Sequence, residues 1–284
     1  MFTYRSRFLT RGEAWYDEQP DATKLDWVYH RQRSSPLSRT QWKYAYTPLI
    51  DLSASPDRLL AGIEERTAHK IIAARDEDQL EWQRFDTRES QTMDRVERMW
   101  NEFAIPNKTP LFERKWLDQI ARAGQLDCSA AKDRAGNVLA FHLVFITRFR
   151  ARQLIAISPH RVVPDVAWRA AVSRANCFIH WKNFLAFKQQ GISFFDFGGW
   201  YTGTTNIQFL GINRFKKSFG GRIVREFDCE EIRTLKGWIV LTTARMLNRA
   251  GLLKSAGDLP VNAPRTAQPN SNANTKDCEV SPAF

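Results

Sequence analysis

The chain has 284 residues, 43% of them apolar, with ten Trp and nineteen Phe, enough for a packed core, which excludes a disordered or fibrous protein. No run approaches the roughly 18–20 uninterrupted apolar residues of a membrane span, and the opening MFTYRSRFLTRGEAW lacks the apolar stretch and cleavage site of a secretory signal, so a cytoplasmic protein is expected. A formal charge of +11 favours anionic partners, and the scattered Cys128, Cys177, Cys229 and Cys278, with no CxxC pair, are expected as reduced thiols rather than a disulfide framework or a metal site.

In chain order, LDWVYH (25–30) and YAYTPLIDL (44–52) carry the aromatic and β-branched residues of strands. SASPDRLLAGIEERTAHKIIAARDEDQ (53–79) predicts one helix, with Ser55 as N-cap, Pro56 in the first turn and Leu59, Leu60, Ile63, Ala68, Ile71 and Ile72 along its apolar side. A second helix spans 90–103, with Met93, Val96, Met99, Trp100 and Phe103 at three- and four-residue steps. A soft division near residue 100 suggests a first lobe at 1–100 and a second domain at 101–256, followed by a disordered tail at 257–284, where Asn, Pro, Ser and Thr replace any apolar period.

The second part opens with a helix ended by Gly124. LDCSAAKD and NVLAFHLVFITRF flank the turn formers of 133–137 as a hairpin, and RQLIAIS (152–158) continues the sheet. An apolar helix runs to Gly191, ISFFDFGG reads as a buried strand, GRIVREFD as another strand, and a last helix covers roughly 235–253. The intermixed elements indicate an α+β or α/β domain.

At FFDFGGW (194–200) and GINRFKKSFGG (211–221) the chain resembles the Fem-type aminoacyltransferases and the GNAT-like acetyltransferases grouped with them, in which (Y/F)DFGG precedes G(I/L)xxFKxxFGG. Residues 50–74 and 176–191 are similar to two further helical blocks of that family in the same order. The chain departs from the pattern at Ile72 and Ala73, where basic residues are usual, and PHRVVPDVAWRA (159–170) holds no glycine-rich pyrophosphate loop. The resemblance implies a GNAT-like acyl-CoA N-acyltransferase fold, a mixed, mostly antiparallel sheet flanked by helices, with room for two degenerate GNAT lobes. It also implies an acyl or aminoacyl transfer to an amine of a cell-envelope precursor or surface-polysaccharide sugar. The donor would be acyl-CoA or aminoacyl-tRNA, with no metal, and the acceptor a phosphate-bearing small molecule or a lipid-linked one. A catalytically idle GNAT fold that binds nucleic acid or protein is the alternative.

Acylating an amine needs a proton acceptor and dipoles aimed at the oxyanion. On a strand Asp196 points away from Phe195 and Phe197, and it either orients or deprotonates the amine or caps the following loop; Gly198 and Gly199 let a substrate approach the backbone. Arg214, Lys216, Lys217 and Arg222 form a basic run suited to phosphate, on a loop anchored by Phe215 and Phe219; the resemblance assigns the phosphate role to Lys216. Arg148, Arg150 and Arg152 share one side of a strand, as an anion site or as a charged sheet edge, and His142 is a base or a satisfied core histidine. The last helix joins Trp238, Ile239, Leu241, Met246 and Leu247 to Arg245 and Arg249, for packing on the domain or for peripheral contact with a membrane.

Overall fold

The computed structural model describes residues 1–5, 8–19, 24–105, 111–158 and 165–249. The tail expected at 257–284, Cys278, and residues 159–164 of the segment compared with the pyrophosphate loop lie outside them. The chain divides into two interleaved units, and a cut near residue 100 falls inside the second of them.

The first unit comprises Met1–Thr47, Gly199–Gly203 and the chain from Ile223. Strands β1 (Phe2–Arg5), β2 (Thr10–Trp15), β3 (Trp27–Arg33) and β10 (Arg222–Ile232) lie in that order, with β2 and β3 parallel and the other pairs antiparallel. Its interior holds several paired polar groups: Arg31 Nε donates to Glu13 Oε1 at 2.9 Å, Gln32 Nε2 to Glu226 Oε2 at 2.7 Å, and Tyr29 Oη to Asp228 Oδ2 at 3.1 Å. The closing helix (Leu235–Arg249, called α7 in chain order) follows β10 and sets Leu241 against Leu9 and Trp27.

The second unit comprises Pro48–Gly198 and Thr204–Arg222. The end of β4 (Gln41–Asp51) is followed across the sheet by β9 (Phe194–Asp196), β8 (Arg150–Ile157), β7 (Val138–Ile146), β6 (Leu126–Lys132) and β5 (Glu81–Phe85). Only β8 and β9 pair in parallel here; the remaining neighbours are antiparallel. The long helix α5 (Val166–Gln189) links β8 to β9, and a strand–helix–strand connection places the two strands side by side and parallel. Phe184 and Phe187 of α5 pack on Phe195, Phe197 and Phe219 to form the main apolar cluster.

The helix expected at 53–79 is two: α1 (Pro56–Ala61), whose N-terminal Arg58 amide donates to the Ser55 hydroxyl at 3.3 Å, and α2 (Glu65–Asp76). The break follows from tertiary demand, since the Glu64 amide donates to the carbonyl of Ser218 at 2.8 Å instead of continuing a helix. Helix α3 (Ser90–Ala104) matches its expected span closely, while α4 (Arg114–Arg122) is shorter than the segment 110–124 expected for it. The basic run read as a loop is also helical: α6 (Ile207–Lys217) starts at Asn206, whose side chain accepts from the Phe209 amide at 3.1 Å. Only residues 218–221 after it form a turn, and both glycines in it are required. Each has φ near +80°, and a Cβ would stand 2.5 Å from the Gly62 carbonyl oxygen at the first and 2.4 Å from that of Leu49 at the second.

Candidate active site

The site grows out of the β8–β9 pair. Parallel register sets Asp196 opposite Arg152, and alternation places Arg150, two residues earlier, on the same side. Asp196 is fully buried. Its Oδ2 accepts from Arg150 Nε at 3.0 Å and lies 2.8 Å from Arg150 Nη2 and 3.0 Å from Arg152 Nη1; its Oδ1 accepts from the Gly198 amide at 2.7 Å. A carboxylate enclosed this way is kept in the interior by paired cations and a backbone donor. Asp196 therefore caps the turn after β9, the second of the two roles that its position allowed. The arginine stripe is not a sheet edge, because β8 is covered on both sides by β7 and β9.

Gly198 adopts φ +71°, and a Cβ there would meet the Gln153 carbonyl oxygen at 3.2 Å and Arg152 Nη2 at 3.5 Å. Its carbonyl accepts from Lys216 Nζ at 3.0 Å. Lys216 reaches this point because Phe209, Asn213 and Lys216 occupy i, i+4 and i+7 of α6, the face turned inward. Burial disfavours the charged ammonium, Arg152 repels it, and Asp196 only partly offsets both, so its pKa falls to about 8. Asp196, Gly198 and Lys216 are thus held together.

Arg214, Lys217 and Arg222 are not part of this cluster. All three are exposed, and on a helix Arg214 and Lys216 diverge by about 200°. Gly199 is half-buried in the first unit, where the neighbouring Trp200 amide donates to the Tyr46 carbonyl at 2.7 Å. Arg150 and Arg152, read in the sequence as an anion site or a charged sheet edge, are the partners of Asp196.

Beneath the turn, His180 of α5 is fully buried among Phe184, Phe195, Phe197, Phe215 and Phe219, with its ring 4.3 Å from that of His142. His142 Nε2 pairs with Asn176 Oδ1 at 2.8 Å, as a satisfied core histidine does. Burial lowers the pKa of His142 to about 4 and drives that of His180 well below the usual histidine value. Both lie below the unfolded value, so the unfolded chain binds more protons between the two. Stability is then full above about pH 6.5 and falls as pH drops toward 4, by up to about 1.4 kcal/mol per pH unit for each histidine. Melting temperature followed from pH 7 to 4.5 should show this fall, and His180→Leu should make it about half as steep; an unchanged slope would rule out the neutral buried pair. Among the described residues no group of three or more His, Cys, Asp or Glu side chains could hold a metal ion.

No protein-family model matches the chain, and no curated protein matches it in sequence. Among solved structures, FemX is 12% identical, covers 72% of this chain and 72% of its own, and superposes with a TM-score of 0.56. The chain has the Fem-type, GNAT-like fold. A second solved structure with this likeness is the C-terminal domain of a putative lysylphosphatidylglycerol synthetase from Agrobacterium fabrum. It is 15% identical over 86% of this chain and 84% of that one, with a TM-score of 0.52. At such identities the likeness carries the Fem-type architecture and none of the chemistry.

Proposed function

We propose that this chain is an N-acyltransferase and that Lys216 receives the proton lost by the attacking amine. The acyl or aminoacyl group moves from acyl-CoA or aminoacyl-tRNA to an amine of a cell-envelope precursor or surface-polysaccharide sugar. The single observation behind this reading is a lysine with a pKa of about 8, held against the carbonyl of the glycine turn. A proton acceptor is most effective when its pKa lies near the working pH, and a desolvated lysine is one way to reach it.

In the transfer, the amine nitrogen attacks the acyl carbonyl, a C–N bond forms, and the C–S bond of a thioester or the C–O bond of an aminoacyl ester breaks. The amine proton passes to neutral Lys216 and from there to the leaving group or to water. Asp196 acts through others: it fixes Arg150, Arg152 and the Gly198 amide, and its charge partly offsets the effects of burial and of Arg152 on Lys216. The exposed Arg214, Lys217 and Arg222 are assigned to the phosphates of the reactants.

Thermal-shift titration with acetyl-CoA, longer acyl-CoAs, charged tRNA and UDP-linked muropeptides tests the reading. A true donor at 100 times its Kd should stabilise the fold by about 2.7 kcal/mol. No shift with any of them, together with steeply salt-dependent binding to generic RNA or DNA, would favour the idle binding module instead.

A further inference from the structure

The outward side of α7 carries an apolar strip interrupted by Thr242. Leu235, Trp238, Ile239 and Met246 are 73%, 55%, 50% and 64% exposed, and positions 235, 239, 242 and 246 recur at i, i+4, i+7 and i+11, one stripe along the helix. The opposite side is the one that packs: Leu241 is buried on Leu9 and Trp27, and a Cβ on Gly237 would stand 2.5 Å from the Asp26 carbonyl oxygen. Packing on the first unit therefore occupies one face of α7 and leaves the other uncovered among the described residues.

The charges on this helix are all of one sign. LKGWIVLTTARMLNR contains Lys236, Arg245 and Arg249 and no acid. At about 100° per residue, Lys236 and Arg245 flank the stripe on its two sides. Lys236 pairs with Asp26 at 2.8 Å and Arg245 with Glu230, yet their side chains keep 59% and 38% of their exposure. An apolar strip with a tryptophan in it and cations on both borders is complementary to a bilayer surface with anionic headgroups. No helix among the described residues is long and apolar enough to cross a membrane, so the geometry is that of a helix lying in the interface.

We propose that α7 docks this protein on anionic lipid membranes, with Leu235, Trp238, Ile239 and Met246 entering the headgroup–acyl boundary and Lys236 and Arg245 facing the lipid phosphates. The proposal does not depend on the transferase reading, because vesicle binding needs no reaction.

The test is co-sedimentation of the full chain with phosphatidylcholine vesicles, with and without a quarter phosphatidylglycerol. Binding should require the anionic lipid and weaken as salt rises from about 0.1 to 0.5 M. The double variant Trp238→Ser/Ile239→Ser should bind at least about tenfold more weakly while keeping its circular dichroism and melting temperature, since both side chains are exposed. Equal binding by the variant, equal binding to neutral vesicles, or no binding at all would overturn the proposal. Failure to bind accompanied by a dimer that the same substitutions dissociate would assign the stripe to a second copy of the chain.

Discussion

Lys216→Arg is expected to lower kcat by at least about 100-fold, the usual scale of one positioned proton acceptor, and to abolish the rise of rate through about pH 8. Arginine keeps the positive charge and the reach of lysine but does not give up its proton near neutrality. A phosphate-binding cation predicts the opposite on both counts. Arginine would then substitute well, and the wild-type rate would fall rather than rise as Lys216 deprotonates above pH 8. The substrate amine titrates in the same region, so the comparison that decides is wild type against the variant, both with the same acceptor. Lys216→Met should be equally inactive without loss of thermal stability, because removing the buried amine relieves its desolvation while giving up the bond to the Gly198 carbonyl. Loss of activity in a variant that keeps its melting temperature separates a role in the reaction from one in folding.

Asp196→Ala should be among the most destabilising single changes in the chain, costing about 3–5 kcal/mol, because it leaves Arg150 and Arg152 enclosed without the carboxylate that pairs with both. The Gly198 amide loses its acceptor at the same time. Urea unfolding at 25 °C gives the number directly. Asp196→Asn keeps the shape and one acceptor oxygen but not the charge, so it should fall between wild type and Asp196→Ala. It should also lower the pKa of Lys216 further, because the Asp196 carboxylate raises it. If Asp196 were itself the base, Asp196→Asn would abolish turnover even above pH 8, where Lys216 is neutral in wild type and variant alike. Turnover retained there would support a positioning role for Asp196.

Much of the second unit was legible in the sequence where an element carries a strong local signal, while β5 (Glu81–Phe85) was not anticipated. The 133–137 turn, the apolar face of α5 and its stop at Gly191, and the Ser55–Pro56 start of α1 all appear where pattern and capping chemistry put them. Misreadings arose where long-range contacts decide. No residue near Gly62 announces that Glu64 will bond Ser218, so one helix was expected in place of two. The glycines and cations of GINRFKKSFGG suggested a loop, while the Asn206 cap and the inward face of Phe209, Asn213 and Lys216 make it a helix. That helix is what separates Lys216 from Arg214 and Lys217.

The arginine pair was within reach of the sequence. A strand, a long helix and a second strand in succession imply parallel neighbours, and this alone puts the Arg150–Arg152 stripe beside FDFGG rather than on a free edge. Which of the residues 150–152 faces Asp196 depends on a register that no local pattern fixes. The division of the chain was equally out of reach, because β10 returns to β3 from nearly 200 positions away, as the Phe227–Arg33 pair shows.

The claim on which the rest depends is that the ε-amine of Lys216 sits near neutrality because the fold encloses it beside Arg152. Nitrogen-15 NMR of lysine-labelled protein, with Lys216→Arg used to assign the signal, measures that directly. One lysine should titrate at about 8, well apart from the remainder, and should move lower still in Asp196→Asn. A Lys216 signal that titrates near 10.5 with the ordinary lysines would contradict the account and leave the glycine turn without its proton acceptor.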